Sequence, residues 1–308
     1  MKVLVLGAGA VGLCVAAKLS RVCEVHAVTR KKSADAIRAG GFTITGLWGE
    51  DTCRFSVSDT VPADARYDYA IVTSKSRDTD AICQEFAATL KGTETVSLQN
   101  GIGNEEIIGT YTDRVIGGMI ITGFEWAGDA AVHVSVDGGP AKLGRFPAGL
   151  DEPVKRLVAL MQEAGIRVEG SPAIRSDLWV KTLYNCALNP LGAIMGVPYG
   201  KLAHPAAWKI VESIVREGFL VVEAEGVKLP CRTADEYLGY LHDTQLPATA
   251  GHHSSMLQDL GRGRPTEIDF LNGAIVAKGA LHKIPTPVNA CIVSLVKFRE
   301  SLTNGGAP

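Results

Sequence analysis

A chain of 308 residues, 46% hydrophobic and 21% charged, is long enough for two ordinary domains with full cores. A formal net charge of −2 excludes a general binder of phosphate backbones, which needs a clustered basic surface, so no nucleic-acid partner is expected. Seven scattered cysteines without a CxxC pair exclude a disulfide framework and a zinc-ribbon type of site, and point to a reduced, cytoplasmic setting.

In chain order, the first apolar stretch is Val3–Ala17, which behind Lys2 has the outward look of a secretory leader. Gly7, Gly9 and Gly12 interrupt it and a second strand-like segment follows at once, so it reads as strand Lys2–Leu6, helix Val11–Ser20 and strand Cys23–Val28. No other stretch approaches the roughly 20 uncharged residues needed to span a bilayer, and no membrane partner is expected. Gly41–Val57 predicts a hairpin, with Phe42–Thr45 and Thr52–Val57 flanking Gly46 and Gly49. Tyr69–Thr73 reads as a strand, Asp78–Leu90 as a helix, and Thr95–Leu98 as a strand ending at Gln99-Asn100-Gly101. Short strands are expected over 115–126, 131–136 and 140–145. From Asp151 the pattern turns helical, over 151–164, 175–189, 205–225, 233–243, 253–261, 267–281 and 287–301. Gly165, Gly170 and Pro172 mark the change of texture. The plan is α/β plus all-α: a dinucleotide-binding domain over 1–168, then a helical domain over 169–308 with a loose tail at Asn304–Pro308. The amphipathic helix 205–225 could serve the core or a dimer face; core is the simpler reading, and a homodimer stays open.

Gly7-Ala8-Gly9-Ala10-Val11-Gly12 follows a strand and opens a helix, the order required of a Rossmann-type cofactor site. Gly7 permits the tight turn, Gly9 lets backbone approach a pyrophosphate, and Gly12 lets helix pack on strand. An NAD site would carry a carboxylate about 20 residues onward, bonding the ribose 2′-hydroxyl. Here Val28-Thr29 leads instead to Arg30-Lys31-Lys32, which suits a 2′-phosphate and so NADP(H). Arg30 is the candidate for direct contact, because its planar fork matches phosphate oxygens in pairs. A solvated basic helix start would look the same in sequence. Lys75 and Asn100 follow the strands 69–73 and 95–98, where a doubly wound sheet presents its ligands. Asn-Gly is equally a turn signal.

In the helical half, Lys181, Asn185 and Asn189 recur every four residues, and each step turns about 40° around a helix. All three therefore share one face, among the apolar Trp179, Leu183, Tyr184 and Leu188. Buried amides and ammonium groups need partners, so this reads as an ordered polar track. A second cluster runs His252-His253-Ser254-Ser255 to Thr266-Glu267-Ile268-Asp269. Locally, Thr266 and Asp269 look like a capping pair with the helix starting at Glu267. Adjacent His252 and His253 diverge in either a helix or a strand, and no metal site is expected.

The spaced segments GAGAVG, SLQNGIG, LWVKTLYNCALNP and SSMLQDLGRGRPTEIDFLNG resemble, in order and through nearly the whole chain, the ketopantoate reductase (2-dehydropantoate 2-reductase) family. The resemblance implies hydride transfer from NADPH to the keto carbon of ketopantoate, giving pantoate for pantothenate and coenzyme A synthesis. It implies Lys181 as proton donor to the carbonyl oxygen, and Asn100 contacting cofactor and helping to orient the reacting centre. Asn185 and Asn189 would bind substrate oxygens, and Ser255 the substrate carboxylate. Glu267 would accept from a hydroxyl of substrate or cofactor and help to position Lys181, and Lys75 would lie beside the cofactor. His252 and Tyr199 stand where the family pattern can carry asparagine, which leaves a different 2-keto acid open as substrate. A nicotinamide-binding sensor without turnover is the remaining reading. It would need the first domain but not the set Lys181, Asn185 and Glu267.

Overall fold

The computed structural model describes residues 1–61 and 65–303; the expected tail Asn304–Pro308 lies outside the described residues. The chain divides into two compact units, one formed by Met1–Gln99 with Asn104–Asp177, the other by Asn100–Gly103 with the chain from Leu178 onward.

The first unit carries twelve strands among the described residues: β1 (Lys2–Leu6), β2 (Glu24–Val28), β3 (Phe42–Gly46), β4 (Asp51–Cys53), β5 (Ser56–Ser58), β6 (Tyr69–Val72), β7 (Glu94–Ser97), β8 (Val115–Met119), β9 (Thr122–Gly128), β10 (Ala131–Asp137), β11 (Ala141–Arg145) and β12 (Val168–Gly170). Its helices are α1 (Ala10–Leu19), α2 (Lys31–Gly40), α3 (Thr79–Glu85), α4 (Ala87–Leu90), α5 (Asn104–Ile108) and α6 (Glu152–Glu163). The large sheet runs β12-β11-β8-β7-β6-β1-β2-β5, and all its pairs are parallel except β11 with β8. Strand order therefore reverses between β1 and β6, the topological switch point of a Rossmann-type sheet. Alternation in β1 explains why the sheet is covered on both faces. Val3 and Val5 join one core cluster with Leu13 and Ala17 of α1, while Leu4 and Leu6 join another with Cys83, Leu90 and Ile108.

The expected hairpin is split between two sheets. Phe42 pairs with Cys53 and Ile44 with Asp51 in a small sheet of order β4-β3-β10-β9. Ser56–Ser58 instead leaves to pair in parallel with β2, where the His26 ring bonds the Ser56 and Ser58 hydroxyls at 2.8 and 2.9 Å. The helix expected over Asp78–Leu90 breaks at Phe86, whose φ of −105° and ψ of 19° lie outside the helical region.

The second unit is helical: α7 (Ile174–Met195, from Leu178 onward in this unit), α8 (Pro205–Ala224), α9 (Ala234–Tyr240), α10 (Leu246–Ala248), α11 (Ser255–Gly261), α12 (Asn272–Leu281) and α13 (Pro287–Thr303). Helix α7 outruns its expected end and passes through Pro190, which cannot donate to the carbonyl four residues back. The amide of buried Asn272 fills that place, donating to the Cys186 carbonyl at 3.2 Å. Its core gathers Trp179, Leu183 and Leu188 with Val211, Val215, Ile275 and Val296, and includes Ile102 from the short Asn100–Gly103 stretch. Among the described residues no helix is long and apolar enough to cross a membrane, and no cluster of side chains suits a metal ion. All seven cysteines are free.

Candidate functional site

In the first unit the three glycines of the fingerprint do three different things. Gly7 sits at φ +63°, and a Cβ there would stand 2.5 Å from Ser74 Cβ. Gly9 precedes α1 in an extended conformation, and a Cβ there would meet nothing within 4 Å. That open backbone beside a helix start is the cradle a pyrophosphate requires. Gly12 has no such room: a Cβ would come 2.2 Å from Thr73 Oγ1 and 3.1 Å from Val5 Cγ1. Gly12→Ala is thus expected to destabilise the protein by about 1–3 kcal/mol through overpacking. An unchanged denaturant midpoint would show that Thr73, whose hydroxyl donates to the Leu6 carbonyl at 3.2 Å, yields without cost.

The end of β2 is tied to this turn. Thr29 Oγ1 donates to the Ala8 carbonyl at 2.6 Å, and the Ala8 N–H to the Val28 carbonyl at 2.8 Å. Arg30 follows directly, exposed, at the start of α2, where Lys31 and Lys32 are also exposed and the first turn holds no acid. Lys32 pairs with Asp129 at 2.9 Å. Lys75 stands partly exposed past β6, opening a short 3-10 turn, Ser76–Asp78. A buried amide braces that turn: Gln99 Nε2 donates to the Ser74 carbonyl at 3.0 Å and to the Thr79 hydroxyl at 2.7 Å, which meets Asn104 Oδ1 at 2.9 Å. Sequence reading passed over Gln99; its only signal was its place beside Asn100 at a strand end.

In the second unit, Lys181, Asn185 and Asn189 all lie on α7, and both asparagines are buried. Lys181 Nζ donates to Asn100 Oδ1 at 2.8 Å, and Asn100 Nδ2 donates to Glu267 Oε2 at 3.3 Å. The stretch that brings Asn100 here is pressed onto the Ile268–Phe270 turn. Gly101 has φ +84°, and a Cβ there would stand 2.3 Å from the Phe270 carbonyl oxygen, which also accepts from Ile102 N–H at 3.1 Å. A cleft is lined by Asn100, Asn189, Ser255 and Glu267 together with Met256, Asp259 and Leu271. Ser255, Glu267, Asn189 and Asn100 are thereby brought together, with Lys181 bonded to one of them. Asn185 lies between Lys181 and Asn189 on α7 but is not part of the lining. Asp259 carried no sequence signal beyond lying in the same segment as Ser255.

Glu267 does not begin a regular helix, as the capping pattern predicts. It precedes the 3-10 turn Ile268–Phe270, and Leu271, at φ −107° and ψ −108°, separates that turn from α12. Thr266 does cap locally, accepting from Ile268 N–H at 3.3 Å, but its own N–H and hydroxyl both donate to buried Glu300 Oε1 at 2.7 Å. That anchor holds the backbone just before Glu267.

Burial of its ammonium pulls the Lys181 pKa down to about 8, against an opposing pull from the Glu267 carboxylate. Around Asn189, the Tyr199 hydroxyl donates to Oδ1. The Tyr199 ring meets His252 edge-on at 5.3 Å and Tyr184 at 6.0 Å. Burial raises the Tyr199 phenol, so it stays a protonated donor. The two departures from the expected pattern are therefore neighbours in space.

A family model described as ketopantoate reductase PanE/ApbA matches residues 3–148, and its C-terminal companion matches residues 173–300. The chain is 33% identical to the 2-dehydropantoate 2-reductase of Pyrococcus horikoshii over 99% of each chain, and 33% identical to that of Aquifex aeolicus over 97% of each. Among solved structures it is similar to a PanE/ApbA family ketopantoate reductase from Ralstonia eutropha, with a TM-score of 0.88 and 31% identity over 98% of this chain and 99% of that one. It is also similar to D-mandelate dehydrogenase solved with NADH and anilino(oxo)acetate, with a TM-score of 0.89 and 27% identity over 99% and 100%.

Proposed function

The chain belongs to the ketopantoate reductase family of oxidoreductases, and from that premise we propose that it reduces 2-dehydropantoate to pantoate with NADPH, Lys181 supplying the proton. The observation that carries this reading is the Lys181–Asn100–Glu267 chain of hydrogen bonds beside a cleft that also holds Asn189 and Ser255.

The residues present fit a dinucleotide: Gly7 makes the tight turn, Gly9 leaves its phosphates open backbone, and Gly12 keeps α1 close to the sheet. Arg30 would take the 2′-phosphate, Lys75 would lie beside the cofactor, and Asn100 and Glu267 would add polar contacts to it. When bound, the cofactor would be the source of the hydride for the keto carbon. As that carbon is reduced, the carbonyl oxygen gains negative charge, and the Lys181 ammonium stabilises it and then gives up a proton to it. Asn100 holds the ammonium by accepting one of its hydrogens. Glu267, through Asn100 and its own charge, favours the protonated lysine. Asn185 and Asn189 would bind substrate oxygens, and the Ser255 hydroxyl the carboxylate.

A proton donor with a pKa of about 8 is charged below that pH and loses its proton above it. We expect kcat/KM to fall as pH rises through about 8. In Glu267→Gln the opposing carboxylate is gone while burial stays, so this alkaline limb should move to lower pH. A limb that stays in place in the Gln variant would remove Glu267 from the control of Lys181.

A second reading is a reductase of a larger, aromatic 2-keto acid. The edge-on group of Tyr184, Tyr199 and His252 beside Asn189 favours it, as does the likeness to D-mandelate dehydrogenase. A substrate panel decides, following NADPH oxidation with ketopantoate, pyruvate and benzoylformate. The first reading expects ketopantoate to have the highest kcat/KM; benzoylformate ahead of it would select the second.

A further inference from the structure

Asn189 can present either end of its amide to the cleft, and the surrounding structure chooses which. We infer that Tyr199 is a specificity-setting residue: by donating to Asn189 Oδ1 it turns the NH2 end toward the ligand, so that Asn189 recognises an acceptor oxygen of the 2-keto acid. This deepens, and rests on, the reductase reading.

Three observations support the assignment. The Tyr199 hydroxyl donates to Asn189 Oδ1, which leaves Nδ2 as the end available to a cleft that Asn189 lines. The ring of that phenol is held between two others. It packs edge-on to Tyr184 and His252, and the Tyr184 hydroxyl is itself bonded to Thr249 at 2.9 Å. The Tyr199 N–H donates to the His252 carbonyl at 3.0 Å and the Gly200 N–H to the Ala250 carbonyl at 2.9 Å. Tyr199 is 3% exposed, so the hydroxyl has little water to turn to and the bond to Asn189 replaces hydration. The donor end is also the useful end. Ser255 and Lys181 bring further donors, and a 2-keto acid carries a carboxylate and a carbonyl, which are acceptors. The same backbone bonds join Tyr199 to the segment that leads into Ser255. One ring thus sets the amide on α7 and braces the approach to the serine.

The test uses the full-length protein and two kinds of readout. Tyr199→Phe keeps the ring contacts and removes only the hydroxyl. With NADPH and the preferred 2-keto acid, KM should rise about tenfold with kcat within about threefold. In an Asn189→Ala background the same change should add less than twofold, because its target is gone. A KM within twofold of wild type, or effects that multiply in the double variant, would overturn the inference. Independently of turnover, the side-chain NH2 protons of Asn189 in labelled protein should show stronger contacts to Leu271 or Met256 than to the Tyr199 ring. Contacts stronger to that ring than to Leu271 and Met256 in the wild type would overturn it as well. If the wild type reduces no 2-keto acid while the cleft contacts are seen, the amide orientation stands and the reductase reading fails.

Discussion

Lys181→Ala is expected to lower kcat about a thousandfold while NADPH binding, followed by fluorescence titration, changes less than threefold. A positioned proton donor contributes about 10²–10⁴ in rate, and the Lys181 ammonium is placed by a 2.8 Å bond to Asn100 and partly desolvated. Desolvation matters here because a charge in a low-dielectric cleft stabilises a developing alkoxide far more than it would in water. Lys181→Met, which keeps most of the stem, separates chemistry from packing. If both variants are equally slow and melt within a few degrees of wild type, the ammonium is what was lost. Turnover within a few-fold of wild type in either variant would strike Lys181 from the role of acid.

The second large effect concerns the nucleotide. Arg30→Glu should lower kcat/KM for NADPH about a hundredfold and leave NADH within about threefold. A hundredfold corresponds to about 2.7 kcal/mol. Reversing a charge against a phosphate a few ångströms away readily supplies that at a protein surface, where one unit pair is worth roughly 1–4 kcal/mol. Arg30 is the cation next to Thr29, whose hydroxyl is bonded to the glycine turn, whereas Lys32 is already paired with Asp129. Equal losses with both nucleotides would mean that Arg30 does not read the 2′-phosphate. The relative solved with NADH makes that outcome informative, because it shows the scaffold accepting the other nucleotide.

Local patterns carried much of this molecule. The first strand, α1 and the second strand appear within a residue of their expected ends, because glycine spacing and apolar alternation are properties of a short window. The shared face of Lys181, Asn185 and Asn189 is likewise helix geometry, and α7 holds all three. Pairings between distant segments were illegible. Nothing near Ser56–Ser58 announces that it will join β2 across some thirty residues. Pro190 looked like a helix end because its substitute hydrogen bond comes from Asn272, 86 residues away from Cys186. Asn100 was half legible: its place past a strand end marked it as a ligand candidate, but Asn-Gly is equally a turn signal, and its bonds to Lys181 and Glu267 come from segments 81 and 167 residues away. Tyr199 stood out in sequence only as a departure, since its partner sits across the end of α7.

The second unit is not one continuous stretch of sequence. Four residues, Asn100–Gly103, belong to it although they are bounded on both sides by the first, and Ile102 is part of its apolar interior. Cutting the gene at any point beyond Gly103 would hand the helical fragment an unfilled hole and leave the Lys181 ammonium without its amide acceptor. A fragment that starts beyond Gly103 is therefore expected to be less stable than the helical unit of the full chain, with the position of the Lys181 side chain no longer fixed from that stretch.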